Sequence, residues 1–156
     1  MVASPIGDLV LIGDGQSLAR LLTPQQVGPS VTELDRDDSA FGPARGQLAE
    51  YFDGRRTRFE LRLATAGTAF QRQVWNLLLE IPYGSTTTYA ELADRMGRAP
   101  SAARAVGSAN ARNPVSIIVP CHRVVGSDGS LTGYAGGLAT KRWLLTHEGG
   151  SLATSG

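Results

Sequence analysis

The chain has 156 residues, 42% of them hydrophobic and 19% charged, and a formal net charge of +1. That length buries a sizeable core in one domain or two small ones. No apolar run approaches the roughly 18 residues of a membrane helix, and the opening "MVASPIGDLV" lacks the charged-then-apolar order of a secretory signal. One cysteine excludes an internal disulfide, and with only two histidines beside it a structural zinc centre is not expected. The expectation is a cytoplasmic protein that holds no metal and no cofactor.

In chain order, the apolar runs flanking Asp14-Gly15 in "LVLIGDGQSLARLL" predict a β-hairpin. A helix is expected in "FGPARGQLAEYFDG", where Leu48, Tyr51 and Phe52 fall at helical spacing. A strand is expected in "RFELRLA", where Phe59, Leu61 and Leu63 alternate with polar residues. "TAGT" reads as a linker, which divides the chain into an α/β unit over 1–66, a mainly helical unit over 67–150 and a flexible tail over 151–156.

In the second unit, Thr68 and Gln71 stand in capping-box register before a helix with the stripe Phe70, Val74, Leu77, Leu78 and Ile81, stopped by Pro82 and Gly84. Thr88 and Glu91 repeat that register before "TYAELADRM", where Tyr89, Leu92, Ala93 and Met96 share a face until Gly97. Pro100 suits the first position of the next helix, "SAARAVGSANAR". Two helices across a tight Gly-containing turn make a helix-turn-helix candidate. With Val106 turned to the core, the opposite face carries Ser101, Ala105, Ser108 and Ala111 around one long side chain, Arg104. Small residues there allow close approach either to another helix or to a DNA minor groove.

Charge is uneven. Residues 1–66 hold seven basic and nine acidic side chains, whereas Arg98, Arg104, Arg112, Arg123, Lys141 and Arg142 face a single acid, Asp128, between 98 and 142. Such a segment forms either a basic surface that holds a polyanion or an ordinary solvated face.

"VSIIVPCHRVV" is a β-branched run broken by proline, which predicts a buried strand that ends or bends at Cys121. Cys121 reads either as a small core hydrophobe or as a nucleophile supported by His122 and Arg123. Adjacent strand residues point to opposite faces, so a Cys-His pair needs a turn or a bridging water. In "LATKRWLLTHE", Glu148 lies four residues after Leu144, on the inward face and just before the capping Gly149. It is either exposed at a frayed end or buried with a partner, for which His122 is the natural choice. Paired, they would make a Cys-water-His-Glu relay of nucleophile, base and orienter.

Together, "VPCHRV", "ARAVGSANARNP" and "GYAGGLATKRWLLTHEG" resemble the O6-alkylguanine-DNA alkyltransferases, densely from Thr68 to Gly149 and more loosely before, where "SPIGDLVL" is also similar. The resemblance implies an α/β fold in which an N-terminal domain with a small β-sheet and helix packs on a mainly helical C-terminal domain with a winged helix-turn-helix-like motif. It implies direct-reversal DNA repair: one irreversible transfer per molecule of an alkyl group from O6-alkylguanine, or O4-alkylthymine, in double-stranded DNA, after the nucleotide is flipped out and with the protein in the minor groove.

By that resemblance Cys121 is the acceptor, His122 deprotonates it through a water, Glu148 orients His122, and Asn113 braces the turn. Tyr89 protonates the departing base and touches the DNA backbone, and Arg104 fills the gap in the stack. Ser101, Ala102, Ala105, Ser108 and Arg112 join the DNA-binding set. The main chain at Cys121 and Val124 reads the guanine edge, while Tyr134, Asn110 and the backbone amide of Ala135 line the pocket. Vertebrate members have serine at the position of Ala135 and methionine at that of Asn110; some members bind zinc in an N-terminal domain that here has neither Cys nor His. A monomer is expected, with cooperative binding along DNA left open. The rival readings are a helix-turn-helix lesion sensor indifferent to Cys121 and a cysteine hydrolase that turns over.

Overall fold

The computed structural model describes residues 1–28, 37, 40–131 and 134–149, so the tail expected at 151–156 lies outside the described residues. The expected hairpin is present as β1 (Val10–Gly13) antiparallel to β2 (Leu18–Leu22). Its connection is longer than the Asp14-Gly15 pair. Asp14 Oδ1 accepts from the backbone N–H groups of Gln16 (2.9 Å) and Ser17 (2.6 Å), which extends the turn to Ser17 and shifts the register after Ile12.

The strand expected over 58–64 is not a ladder strand. Its alternation holds, since Phe59, Leu61 and Leu63 pack against the core, but it meets β2 only at Leu18. β1 occupies one edge of β2. The other edge is shared: Leu18 bridges to Leu63, and Leu21 donates to Pro114 O (2.9 Å) and bridges to Val115.

The expected helix α1 (Gly42–Phe52) buries Leu48 and Tyr51. α2 (Ala69–Leu78) has both halves of its capping box, Thr68 accepting from Gln71 N and Gln71 reaching back to Thr68 N. Trp75 Nε1 donates to Ala109 O (2.9 Å) and so ties α2 to α4 (Ala103–Ala111). A parallel two-residue pair, β3 (Thr87–Thr88) with β4 (Val124–Val125), leads into α3 (Tyr89–Arg95). There the capping box is half made: Thr88 accepts from Glu91 N, while the Glu91 carboxylate accepts from Thr87 Oγ1 instead (2.7 Å). Gly97, at φ +70°, closes α3, and Pro100 opens a 3-10 turn that runs into α4. The two helices pack on each other, as a helix-turn-helix requires. α5 (Leu138–His147) follows.

The strand expected to carry Cys121 is absent as well. Residues 115–119 coil into a turn held by Asn113, whose Oδ1 accepts from Val115 N (3.0 Å) and whose Nδ2 donates to Val119 O (2.8 Å). Val119 N donates to Val115 O (3.0 Å), and Ile117 sits at φ +74°. A left-handed conformation at a β-branched residue costs about 1–3 kcal/mol and persists only where surroundings impose it. Here they are the Asn113 clamp and full burial of the turn. One core runs through both halves, from Leu9, Leu18, Leu21, Leu48 and Tyr51 to Val74, Leu92, Val106 and Leu144. Asn113→Ala should destabilise the protein by about 1–3 kcal/mol, because the buried Val115 N–H loses its partner and Val119 O keeps only Cys121 N; a urea midpoint equal to wild type would show that the turn does not need the clamp.

Candidate active site

Cys121–Arg123 forms a 3-10 turn rather than a strand end, so the neighbouring Cys121 and His122 side chains are not forced onto opposite faces. The turn packs against α5. Periodicity on α5 turns Lys141, Leu144, Leu145 and the C-cap Glu148 inward, and Gly149 at φ +73° ends the helix there.

Glu148 is buried and satisfied by three side chains. Arg123 donates twice, Nε to Oε1 (2.8 Å) and Nη2 to Oε2 (3.0 Å), in the bidentate fork that suits a carboxylate. His122 Nε2 lies 2.8 Å from Oε2, and Tyr51 Oη on α1 donates to the same oxygen at 2.6 Å. Arg123 is held in turn by donation from Nη1 to Ile81 O (2.7 Å). Burial alone would raise the Glu148 pKa, but the His122 and Arg123 donors overcome it and hold the carboxyl down to about 2. An ionised Glu148 can only accept, so His122 Nε2 carries the hydrogen and Nδ1 presents its lone pair. Burial also holds the His122 pKa below the usual imidazole value, which keeps the ring neutral at pH 7.

Burial pushes the Cys121 thiol up to about 11, although Asn113, Lys141 and Tyr134 each pull it back. At neutral pH the group is therefore a thiol, and it would act as a nucleophile only with a base. Lys141 is fully buried, its pKa brought down to about 8 by that burial while the neighbouring Cys121 opposes the fall. The buried side-chain polar atoms without a hydrogen-bond partner among the described residues are His122 Nδ1, Asn110 Oδ1 and Tyr134 Oη. Asn110 Nδ2 donates to Cys121 O (3.4 Å), Tyr134 faces the thiol, and His122 follows Cys121 on the same 3-10 turn.

The structure thus gathers Cys121, His122, Glu148, Asn113, Asn110 and Tyr134 into one site. Gly136 leaves room for the Tyr134 ring, since a Cβ there would come within 2.6 Å of it. The Val124 side chain is buried and its N–H donates to Cys121 O. Ala135 is exposed. Tyr89 is half-buried beside α4, where a Cβ on Gly107 would lie 3.7 Å from its ring.

Ser101, Arg104, Ala105, Ser108, Ala111 and Arg112 form an exposed face opposite the buried Val106, as expected, whereas Ala102 is half-buried against the core. The basic segment is less basic outside than its composition suggests. Arg123 and Lys141 are interior, because one neutralises Glu148 and the other lies beside Cys121, leaving Arg98, Arg104, Arg112 and Arg142 exposed. Three features escaped the sequence: the Arg123 fork, Lys141 and Tyr51. Lys141 could have been found, since it stands two helical turns before Glu148 on the inward face. Tyr51 had no signal beyond core spacing.

The family model for the 6-O-methylguanine DNA methyltransferase DNA-binding domain matches residues 69–150, and that for the ribonuclease-like domain of the same proteins matches 1–65. A methylated-DNA–protein-cysteine methyltransferase of Mycobacterium tuberculosis is 52% identical over 148 residues, covering 94% of this chain and 89% of its own. Its Mycobacterium leprae counterpart is 50% identical over 153 residues, covering 97% and 92%. The crystal structure of the M. tuberculosis O6-methylguanine methyltransferase superposes with a TM-score of 0.89 at 51% identity, covering 99% of this chain and 93% of that one. A second M. tuberculosis structure, in complex with DNA, gives 0.89 over 95% and 90%. With the family's two domain models matching both halves of the chain and relatives about half identical over nearly all of it, this protein belongs to the methylated-DNA–protein-cysteine methyltransferase family.

Proposed function

We propose that the protein repairs alkylated DNA by moving the alkyl group of O6-alkylguanine, and of O4-alkylthymine, irreversibly to Cys121, once per molecule. The observation that carries this reading is the unpartnered His122 Nδ1 in a site whose thiol is protonated at neutral pH. A base with its lone pair free beside a thiol that needs one is the arrangement a nucleophile requires.

His122 Nδ1 takes the thiol proton through a water, and Glu148 keeps the ring turned and stabilises the imidazolium. The sulfur pair attacks the alkyl carbon, the carbon–oxygen bond breaks with its electrons on the base, and Tyr89 supplies the proton that neutralises the departing guanine. A thioether is not readily cleaved, so the acceptor is spent. Because the target atom is inside the stack, the nucleotide must rotate out, at a cost of about a few kcal/mol. The small-residue face of α4 lies against the minor groove, Arg104 occupies the vacated space and Arg112 meets phosphate. Asn110, Tyr134, Ala135 and the main chain at Cys121 and Val124 form the pocket. The division at 1–66 and 67–150 separates a supporting unit from the one that binds DNA and accepts the alkyl group.

Mixed with excess duplex containing O6-methylguanine, the protein should repair at most one lesion per molecule, and Cys121→Ser should abolish transfer while lesion binding persists. Continued product formation with protein limiting would favour a hydrolase, and unaltered repair by the serine variant would remove Cys121 from the reaction.

Glu148→Gln should slow single-turnover transfer by about ten- to a hundredfold at saturating DNA. The same variant tests electrostatics. A carboxyl lowered from 4.5 to about 2 contributes stability that is present above pH 4.5 and lost as pH falls toward 2. The stability gap between wild type and variant should therefore narrow across that window in urea titrations, and a gap constant with pH would mean Glu148 is not held ionised.

Arg104→Ala should slow repair in duplex DNA yet leave the reaction with free O6-benzylguanine nearly unaffected, since the free base needs no flipping. Arg112→Ala should instead weaken binding to every sequence and reduce the salt slope by about one. Equal slowing of Arg104→Ala on free base and duplex would assign that residue to the fold or the pocket.

A further inference from the structure

We propose that Tyr51, carried by the N-terminal helix α1, is a positioning residue for alkyl transfer that sets, through Glu148, how tightly His122 holds a proton. This rests on the reading of Cys121 as acceptor and His122 as its base. Glu148 Oε2 is shared among Tyr51 Oη (2.6 Å), His122 Nε2 (2.8 Å) and Arg123 Nη2 (3.0 Å). Tyr51 is fully buried, so its bond to the carboxylate meets no competition from water and is of the strong, charge-assisted kind. The charge an oxygen offers is divided among its donors. Each further donor leaves less for His122.

The phenol can play this part throughout the reaction. Burial first, then the neighbouring Glu148 charge, raises its pKa well above the ordinary tyrosine value, so it remains a donor. The other titratable or charged groups around the cluster are Tyr83 after α2, Cys121 and Arg123 on the 3-10 turn, Tyr134 before α5, and Lys141 and His147 on α5. Of these, Arg123 alone shares the carboxylate with Tyr51 and His122. His147 instead uses Nε2 to reach Tyr51 O (2.7 Å), and its ring stacks on Trp143.

Without the Tyr51 hydroxyl, Oε2 has more charge to give His122 Nε2–H, and the imidazolium is favoured. Transfer needs Nδ1 unprotonated, so its rate falls as pH drops through the His122 titration. Loss of the hydroxyl must move that acid limb to higher pH.

The test is the pH profile of single-turnover transfer from a methylated duplex at saturating DNA, measured for wild type, Tyr51→Phe and Tyr83→Phe. Tyr83 is the control, because its ring meets Tyr51 edge-on and lies beneath Arg123 while its hydroxyl points to His147 O (3.5 Å). The acid limb of Tyr51→Phe should move up by about one pH unit, with DNA affinity unchanged and Tyr83→Phe following wild type. The shift should persist in a His147→Gln background, which removes the other of the two histidines. Should Tyr51→Phe not fold, a fluorotyrosine placed at 51, a stronger donor of nearly the same shape, should move the limb the opposite way. Coincident profiles for wild type and variant, or a loss of rate equal at every pH, would overturn the inference. A wild type that transfers nothing overturns the parent reading and this one with it; a wild type that transfers while Tyr51 substitutions leave the limb in place overturns this one alone.

Discussion

The Glu148 carboxylate is a charge buried at the C-terminus of a helix, where both low dielectric and the helix dipole disfavour it. Its removal from water is tolerable only because donors replace the water, and they come from two places: Tyr51 on α1, and His122 and Arg123 on the 3-10 turn. Satisfying that one group fixes how α5 lies on the 121–123 turn and how the N-terminal helix lies on both. The core and the site are therefore one construction. Tyr51 is at once a core residue and a donor to Glu148, and the core in which it sits is continuous through both halves of the chain.

The same cluster explains how a thiol can be both inert and poised. Burial keeps Cys121 protonated, and a thiol is a weak target for oxidants and adventitious alkyl donors. In the proposed reaction activation waits for a proton acceptor, His122, whose far nitrogen is tied to a carboxylate. The clamp of Asn113 and the strained Ile117 fix the 115–119 turn that leads into the one carrying the sulfur. Outside, the small side chains of α4 and its exposed arginines present a surface of different character, made for close approach rather than for chemistry.

Much of this was legible in the sequence where local rules dominate. The helices, the complete capping box at Thr68, the inward face of α5 and the pairing of His122 with Glu148 follow from spacing, capping and the need of a buried carboxylate for a partner. The β-branched run before Cys121 misled because strand propensity is a tertiary quantity. With one edge of β2 taken by β1 and the other shared between Leu63 and Val115, residues 115–119 meet no edge along which to extend a ladder, and an asparagine side chain takes over the role of backbone partner. Charge counting overstated the basic surface for a related reason: whether an arginine faces solvent or a buried acid depends on contacts that composition does not record. Tyr51 was unreadable because its partner lies 97 residues away.

The ionised Glu148 fixes neutral His122 as the Nε2–H tautomer, and in the proposed reaction Nδ1 is the base that serves Cys121. Nitrogen-15 shifts of the imidazoles report this directly, and two histidines make the spectrum simple to assign. At pH 7 the His122 ring should be neutral, with its proton on Nε2 and a lone pair on Nδ1. A proton on Nδ1, or an imidazolium at that pH, would contradict it.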